Sequence, residues 1–473
     1  MNSMVGRLSS LSLALLFAAG CSDDTSQPVG PGEASVVLSR KSVKMLTNGT
    51  VDVDATPLIN GQLNPSATVV WSSSNTAVAT VSTLGVVTTL TPGTVFIRAQ
   101  SGGASDSMRL EVATATFDTV AAGGSHTCAL TTDGEAYCWG ENFNGALGTG
   151  DTLSNTTPLA VSTPVRFASL AVSQRTTCGL STDGAAFCWG SNGSGQLGLG
   201  GADTDDHPLP AAVVGGLTFT GISAGASSTC GIAPGGVGYC WGSNVAGLLG
   251  DARDTDAAAP SPVAGGLTFS SVIVGQGHAC AIAANGDGYC WGEGSGGVLG
   301  NGVDLGDCGG AGGSNCTRTP VAVTGGLKFA EVSASGSHTC AITLAEVAYC
   351  WGVGAFLGNG STGDSNVPVL VTGGLSLHGI TTGNDVADAD NAHSCAIASS
   401  GVAYCWGSNT QGQLGTGAVS DGSSSPVAVS GGLTFLSLTA AANYSCGRTP
   451  DGLVYCWGTG SGSLTPAVVP GQS

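Results

Sequence analysis

Charge is what this 473-residue chain has least of: Asp, Glu, Lys and Arg together make up 9% of it. With 79 glycines alongside, that scarcity argues against a helical protein and against a charge-rich disordered one, and for a turn-rich β architecture. Cations are the rarer half. Twelve Lys and Arg stand against thirty-one Asp and Glu, a net charge of -19, so nucleic acid and anionic membrane surfaces are repelled and excluded as partners. No apolar run approaches the roughly 20 residues a membrane span needs. Catalytic signatures are missing as well: no H-E-x-x-H, no G-x-S-x-G, no P-loop lysine. The G-x-G-x-x-G at Gly292, Gly294 and Gly297 has no helical pattern after it and reads as a by-product of glycine content. No enzyme and no cofactor are expected.

What is present begins with an address. Arg7 precedes the short apolar run from Leu11 to Ala19, the form of a secretory signal rather than a span. The run ends in Ala18-Ala19-Gly20-Cys21, which resembles the bacterial lipobox. That resemblance implies a signal peptide over 1–20, lipidation of Cys21 and, since Ser22 follows, an outer-membrane lipoprotein of the cell envelope. Residues 21–35, with Pro28, Gly30, Pro31 and Gly32, read as a flexible tether.

Residues 36–114 alternate short β-branched runs with Gly, Pro, Asn and Ser, the spacing of a small β-sandwich. The stretches Trp71-Ser72-Ser73-Ser74-Asn75, Ala77 to Val81, Gly85-Val86-Val87 and Pro92-Gly93-Thr94 resemble the bacterial immunoglobulin-like domain, group 2. Such a unit is expected to act as a spacer, with Trp71 in a core held without a disulfide.

From 117 to 470 a period near 50 residues dominates, marked by cysteine pairs. They are Cys128 and Cys138, Cys178 and Cys188, Cys230 and Cys240, Cys280 and Cys290, Cys340 and Cys350, Cys395 and Cys405, Cys446 and Cys456. Every second cysteine follows Tyr or Phe and precedes Trp-Gly. If Thr132, Asp133 and Gly134 form a three-residue loop with Gly134 left-handed, residues 130 and 136 pair and Cys128 faces Cys138, close enough for a disulfide. Zinc sites want shorter spacings, catalytic thiols are not copied sevenfold, and an exported chain meets an oxidising compartment. Cys308 and Cys316 are expected to pin an insertion between them.

Each unit then runs Phe-x-x-Val/Ile, Ala-Gly, the cysteine hairpin, Trp-Gly-x-Asn, Gly-Gln-Leu-Gly, a polar loop and Pro-Val-x-Val, four strands in all. This order of motifs resembles the regulator of chromosome condensation repeat. The resemblance implies a seven-bladed β-propeller, so the whole chain is expected to be all-β, a propeller preceded by an Ig-like sandwich. His126, His278, His338 and His393 recur at one strand position and are expected to be structural hydrogen-bonders in separate blades. The nucleotide-exchange role of the repeat's eukaryotic namesake is not expected of an acidic, exported chain.

Function is expected where the repeats differ. The loops before each Pro-Val strand carry Asp203, Asp205 and Asp206, then Asp251, Asp254 and Asp256, then Asp304 and Asp307. Gathered on one propeller face, they suggest a surface-tethered module that binds a protein partner through an acidic rim. Two alternatives are an adhesive module for polysaccharide or matrix, and calcium held by the Asp203 or Asp251 group.

Overall fold

The computed structural model describes residues 33–303, 316–385 and 388–472. Strands build both units, and the hairpin register explains why. In blade 1, strands β5 (Phe117–Ala122), β6 (His126–Thr131), β7 (Ala136–Gly140) and β8 (Asn155–Ala160) form an antiparallel meander. Gly134 adopts φ 79° in the β6–β7 turn, Leu130 pairs with Ala136, and Cys128 lies opposite Cys138. The fifth blade keeps the same turn with Glu346 at φ 60°, a left-handed residue other than glycine. All seven cysteine pairs are disulfides with Cα atoms 4.1 Å apart. Cys21 and Cys308 lie outside the described residues.

The four-stranded unit recurs seven times, from Phe117–Ala122 to Ser463–Val468. The inner strands carry Ala, Gly, Ser and Thr toward the axis, which lets seven of them converge on a narrow channel. On the outside each blade ends in a strand containing proline: Pro158, Pro208, Pro260, Pro320, Pro368, Pro426 and Pro466. A proline cannot donate to a ladder, so these edges are poor templates for a further strand, and where blade 1 is joined by one the register is a single pair, Leu159 with Met45.

Between blades, the tryptophan of one packs under the loop of the blade before it. Trp189 Nε1 donates to Ala146 O at 2.8 Å, Trp291 to Leu248 O at 2.9 Å, Trp351 to Val298 O at 2.8 Å and Trp457 to Gln413 O at 2.9 Å. Gly148 permits this approach, since a Cβ there would sit 2.8 Å from the Trp189 indole nitrogen. Six of the seven indoles are fully buried, while Trp139 keeps 8% exposure. The reason is local to its cover: the loop that should lie over Trp139 belongs to blade 7, where the sequence collapses to Gly-Thr-Gly-Ser-Gly-Ser.

Among the described residues no strand is exchanged to close the ring: blade 1 is built from residues 117–160 and blade 7 from residues 437–468. Tyr444 stands at the position of the repeated histidine, and its hydroxyl donates to His126 O (2.9 Å) beside Thr127 Oγ1 (2.8 Å). Arg448 Nε donates to Phe117 O (2.6 Å), Phe117 N to Gly452 O (3.1 Å), and Gln472 bridges in parallel to Ala115.

The Ig-like unit is docked on blade 1. Its strands β1 (Ser42–Leu46), β2 (Val70–Ser73), β3 (Gly93–Ser101) and β4 (Ala104–Ala113) join the outer strand of blade 1 in one eight-stranded sheet. β1 runs parallel to β4 on one side and meets β8 through Met45 and Leu159 on the other, both buried in a shared core. Arg40, with 2% of its side chain exposed, pairs with Asp151 at 3.1 Å, and Lys44 pairs with Glu135 at 2.7 Å. Trp71 is only half-buried, packed on that core beside Gly85.

Candidate interaction face of the propeller

In every blade the first and third strands run toward the same face. The variable loops start at the end of the third strand, after the repeated Trp-Gly, and therefore gather there around the channel mouth. Their shape is set by one residue. Asn142 Oδ1 accepts Leu147 N at 2.9 Å while its Nδ2 donates to Asp151 O (3.0 Å) and Leu153 O (3.2 Å), so a single amide staples a twelve-residue excursion to the scaffold. Asn192, Asn244 and Asn409 do the same in blades 2, 3 and 6. Blades 4 and 5 have Gly294 and Gly354 instead, and blade 4 is the one with the long insertion.

The expected acidic residues divide into two groups. Asp203 accepts Asn192 Nδ2 and His207 Nε2, each at 2.9 Å, and those bonds hold its carboxyl below the usual range. Asp251 has only 2% of its side chain exposed and is clamped by Arg253 Nε (2.9 Å) and Nη2 (2.6 Å), with Ser261 Oγ at 3.0 Å. Asp256 accepts the backbone N–H of Asn244 at 2.7 Å. These three stitch their loops together. Of the eight aspartates expected to form the binding rim, these three are therefore engaged in the loop fold, as bonded carboxylates commonly are. Asp205, Asp206 and Asp254 do face solvent; Asp206 reaches Asn144 of blade 1 at 3.0 Å and Asp254 pairs with Arg318. Asp304 and Asp307 lie outside the described residues.

The calcium alternative loses its geometry for the same reason. Asp251, Asp254 and Asp256 turn to three different partners, and among the described residues no three His, Cys, Asp or Glu side chains gather to hold a metal ion. Charge on this face stays negative nonetheless: Glu141, Asp205, Asp206, Asp254, Asp364 and Asp256, which is exposed although it also accepts Asn244 N, stand here against the exposed Arg175 and Arg253 and the half-buried Arg318.

Two residues that the sequence did not single out stand on these loops. Phe143 and Val245 occupy the same position, directly after the stapling asparagine of blades 1 and 3, and each is 74% exposed. A large apolar side chain where the other blades have Gly193, Ser295 or Thr410 was the signal available in the sequence.

The histidines lie beneath the face, inside the blade seams. His126 Nε2 meets Thr177 Oγ1 at 2.7 Å, His278 meets Thr339 at 2.7 Å, His338 meets Ser394 at 2.6 Å and His393 meets Ser445 at 2.8 Å. Thr177 spends its own proton on Ala146 O (2.9 Å), so His126 must donate from Nε2; the same logic holds for His278 and His393. Burial lowers His126 and His278 to about 4, and His338 and His393 to about 3, leaving all four neutral at pH 7.

Comparison with known proteins agrees with this architecture. Residues 34–112 match the bacterial Ig-like domain (group 2). Residues 117–146, 167–196 and 391–413, and in a second description 133–180, 183–232 and 285–342, match the regulator of chromosome condensation (RCC1) repeat. The human E3 ubiquitin-protein ligase HERC2 is 29% identical over 137 residues, 28% of this chain, and the chain covers 3% of that protein's length. Among solved structures, human WBSCR16 is similar with a TM-score of 0.61 at 18% identity, covering 71% of this chain and 87% of that one. Prp20p from Saccharomyces cerevisiae gives 0.59 at 20% identity, covering 69% and 81%. At these identities the likeness is one of fold.

Proposed function

Because the chain is a seven-bladed regulator of chromosome condensation (RCC1) repeat propeller carrying a bacterial Ig-like domain (group 2), we propose that it is a non-catalytic binding protein whose loop face engages a basic surface of a partner protein. The carrying observation is the pairing of an acid-rich face with two exposed apolar side chains, Phe143 and Val245, on loops stapled rigidly by Asn142 and Asn244. Preorganised loops lose little freedom on binding, and an exposed aromatic ringed by polar groups is the usual anchor of such an interface. The related fold supports a protein ligand: the yeast Prp20p structure is described with its binding to Gsp1p and histones. In this reading a lipid on Cys21, supported by the lipobox-like Ala18-Ala19-Gly20-Cys21, tethers the module to the cell envelope.

One experiment tests both parts. The exported protein is used as bait against envelope and secreted fractions, and any captured partner is purified and titrated. Phe143→Ala is expected to raise Kd at least about tenfold by removing the anchor, and Asp205→Asn with Asp206→Ser to lower the association rate in a salt-dependent way. A partner that binds these variants as it binds the wild type moves the site off this face. Cys21→Ser is expected to leave the membrane fraction, and its retention there would refute the anchor.

A further inference from the structure

The outward face of the Ig-like sheet carries a second surface, remote in chemistry from the acidic loops. On β3, Phe96, Arg98 and Gln100 point outward, and the register sets their neighbours: Ser72 and Ser107 flank Arg98, while Ser74 and Arg109 flank Phe96. Phe96 is 50% exposed and 47% of the Arg109 side chain is exposed. Arg98 donates to Ser105 Oγ at 2.7 Å and makes no ion pair among the described residues; Arg109 meets Glu111 at 3.2 Å. A shallow groove along the open edge of the sheet is lined by Phe96, Arg98, Ser72 to Ser74, Ser105 and Ser107, with one carboxylate, Asp106, which is paired with Lys41. In a chain with twelve cations in all, Lys41, Arg98 and Arg109 outnumber Asp106 and Glu111 here, and Arg98, with no carboxylate partner among the described residues, stands beside an exposed phenyl ring and a row of hydroxyls.

We propose that this groove binds an acidic glycan. Each component fits a feature of such a chain. A guanidinium fork takes a carboxylate bidentately, the negative face of the phenyl ring receives the C–H groups of a sugar ring, and serine hydroxyls exchange donors and acceptors with sugar hydroxyls. Arg98 and Arg109 belong to neighbouring strands and are diagonal on the face, about 7–8 Å apart at the backbone, a separation that lets both contact one extended chain. The surface is too polar for a protein anchor set, with one aromatic and no aliphatic cluster in the groove. It is also too sparsely charged for nucleic acid, whose phosphates demand many more Lys and Arg. Screening over about 8 Å at physiological ionic strength leaves this face governed by its own charges rather than by the distant acidic loops.

The test is calorimetric titration of the full mature chain with polygalacturonate, dextran sulfate and neutral dextran. Polygalacturonate is expected to bind and neutral dextran not to. Arg98→Gln with Arg109→Gln is expected to weaken polygalacturonate binding at least about tenfold, and Phe96→Ala about fivefold, with unchanged melting temperatures because all three side chains are exposed. Phe143→Ala is expected to change nothing here, which separates this groove from the loop face. Absence of polygalacturonate binding overturns the proposal. So does equal binding of dextran sulfate that is indifferent to Phe96→Ala, since that is ion exchange only. Self-association in sedimentation that is lost with the arginines assigns the face to a second copy's acidic loops and overturns it too.

Discussion

A neutral histidine sealed between two blades ties stability to pH in one direction. In the unfolded chain each of His126, His278, His338 and His393 takes a proton near pH 6.5, but in the fold burial delays this to about 4 or 3. Between those values the unfolded state holds more protons, so stability is full above about pH 6.5 and declines as the pH falls toward 4. The cost is about 2 kcal/mol per histidine at pH 5. Carboxylates held low by hydrogen bonds, such as Asp133 with Thr131 or Asp287 with Lys328, act below their ordinary value near 3.8 and leave this window to histidine. The wild-type melting temperature is therefore expected to fall from pH 7 to pH 5. His338→Gln, whose amide can hydrogen-bond Ser394 in either sense, is expected to fall by visibly less. Equal slopes in thermal melts of the two proteins would show that the seam histidines do not carry the effect. The sequence announced these residues by their recurrence, but not their partners, because each partner is a hydroxyl roughly fifty positions away in the next blade.

At the scale of the element, the cysteine hairpin is the part most readable from sequence. A ten-residue spacing around a three-residue turn leaves one register, and the paired cysteines follow from it. The loops were read less well. Asp251 looks like Asp254 in the sequence, yet one is buried under Arg253 and the other faces solvent, a difference that depends on which way the chain turns after Gly250. Each hairpin staple is worth about 2.5 to 3 kcal/mol in the chain-entropy model. Replacing both Cys280 and Cys290 by Ala is expected to lower the denaturant midpoint and to raise hydrogen exchange within blade 4, residues 269–322. Exchange that rises equally in all blades would contradict blade-by-blade stabilisation.

Over the whole molecule, the ring depends on one seam that the chain does not cross between successive blades. Tyr444, Arg448 and Gln472 hold blade 7 to blade 1 by side-chain and backbone hydrogen bonds. Tyr444→Phe removes the hydroxyl that serves His126 O and Thr127, and is expected to cost about 1 to 3 kcal/mol. Fluorescence should report it, because Trp139 at that seam is the one propeller indole with residual exposure. A variant with unchanged stability and unchanged emission would mean that closure rests on the other contacts. Neither this seam nor the docking of the Ig-like unit was legible in the sequence: Met45 and Leu159 are ordinary apolar residues until the fold brings β1 against β8.

The placement of every described propeller disulfide inside its own hairpin also bears on how the protein matures. Fourteen thiols can in principle pair in a very large number of ways, and a chain that had to search them would need repeated reshuffling. Here each correct partner is ten positions away, whereas among these fourteen the nearest wrong one, as from Cys138 to Cys178, is about forty; only around the insertion, where Cys308 follows Cys290 by 18, is a wrong partner nearer. Loop closure alone favours the near partner by about 1.2 kcal/mol, roughly eightfold, before any turn preference is added. Oxidation can thus proceed one hairpin at a time as the chain emerges, each step independent of how many blades have already formed.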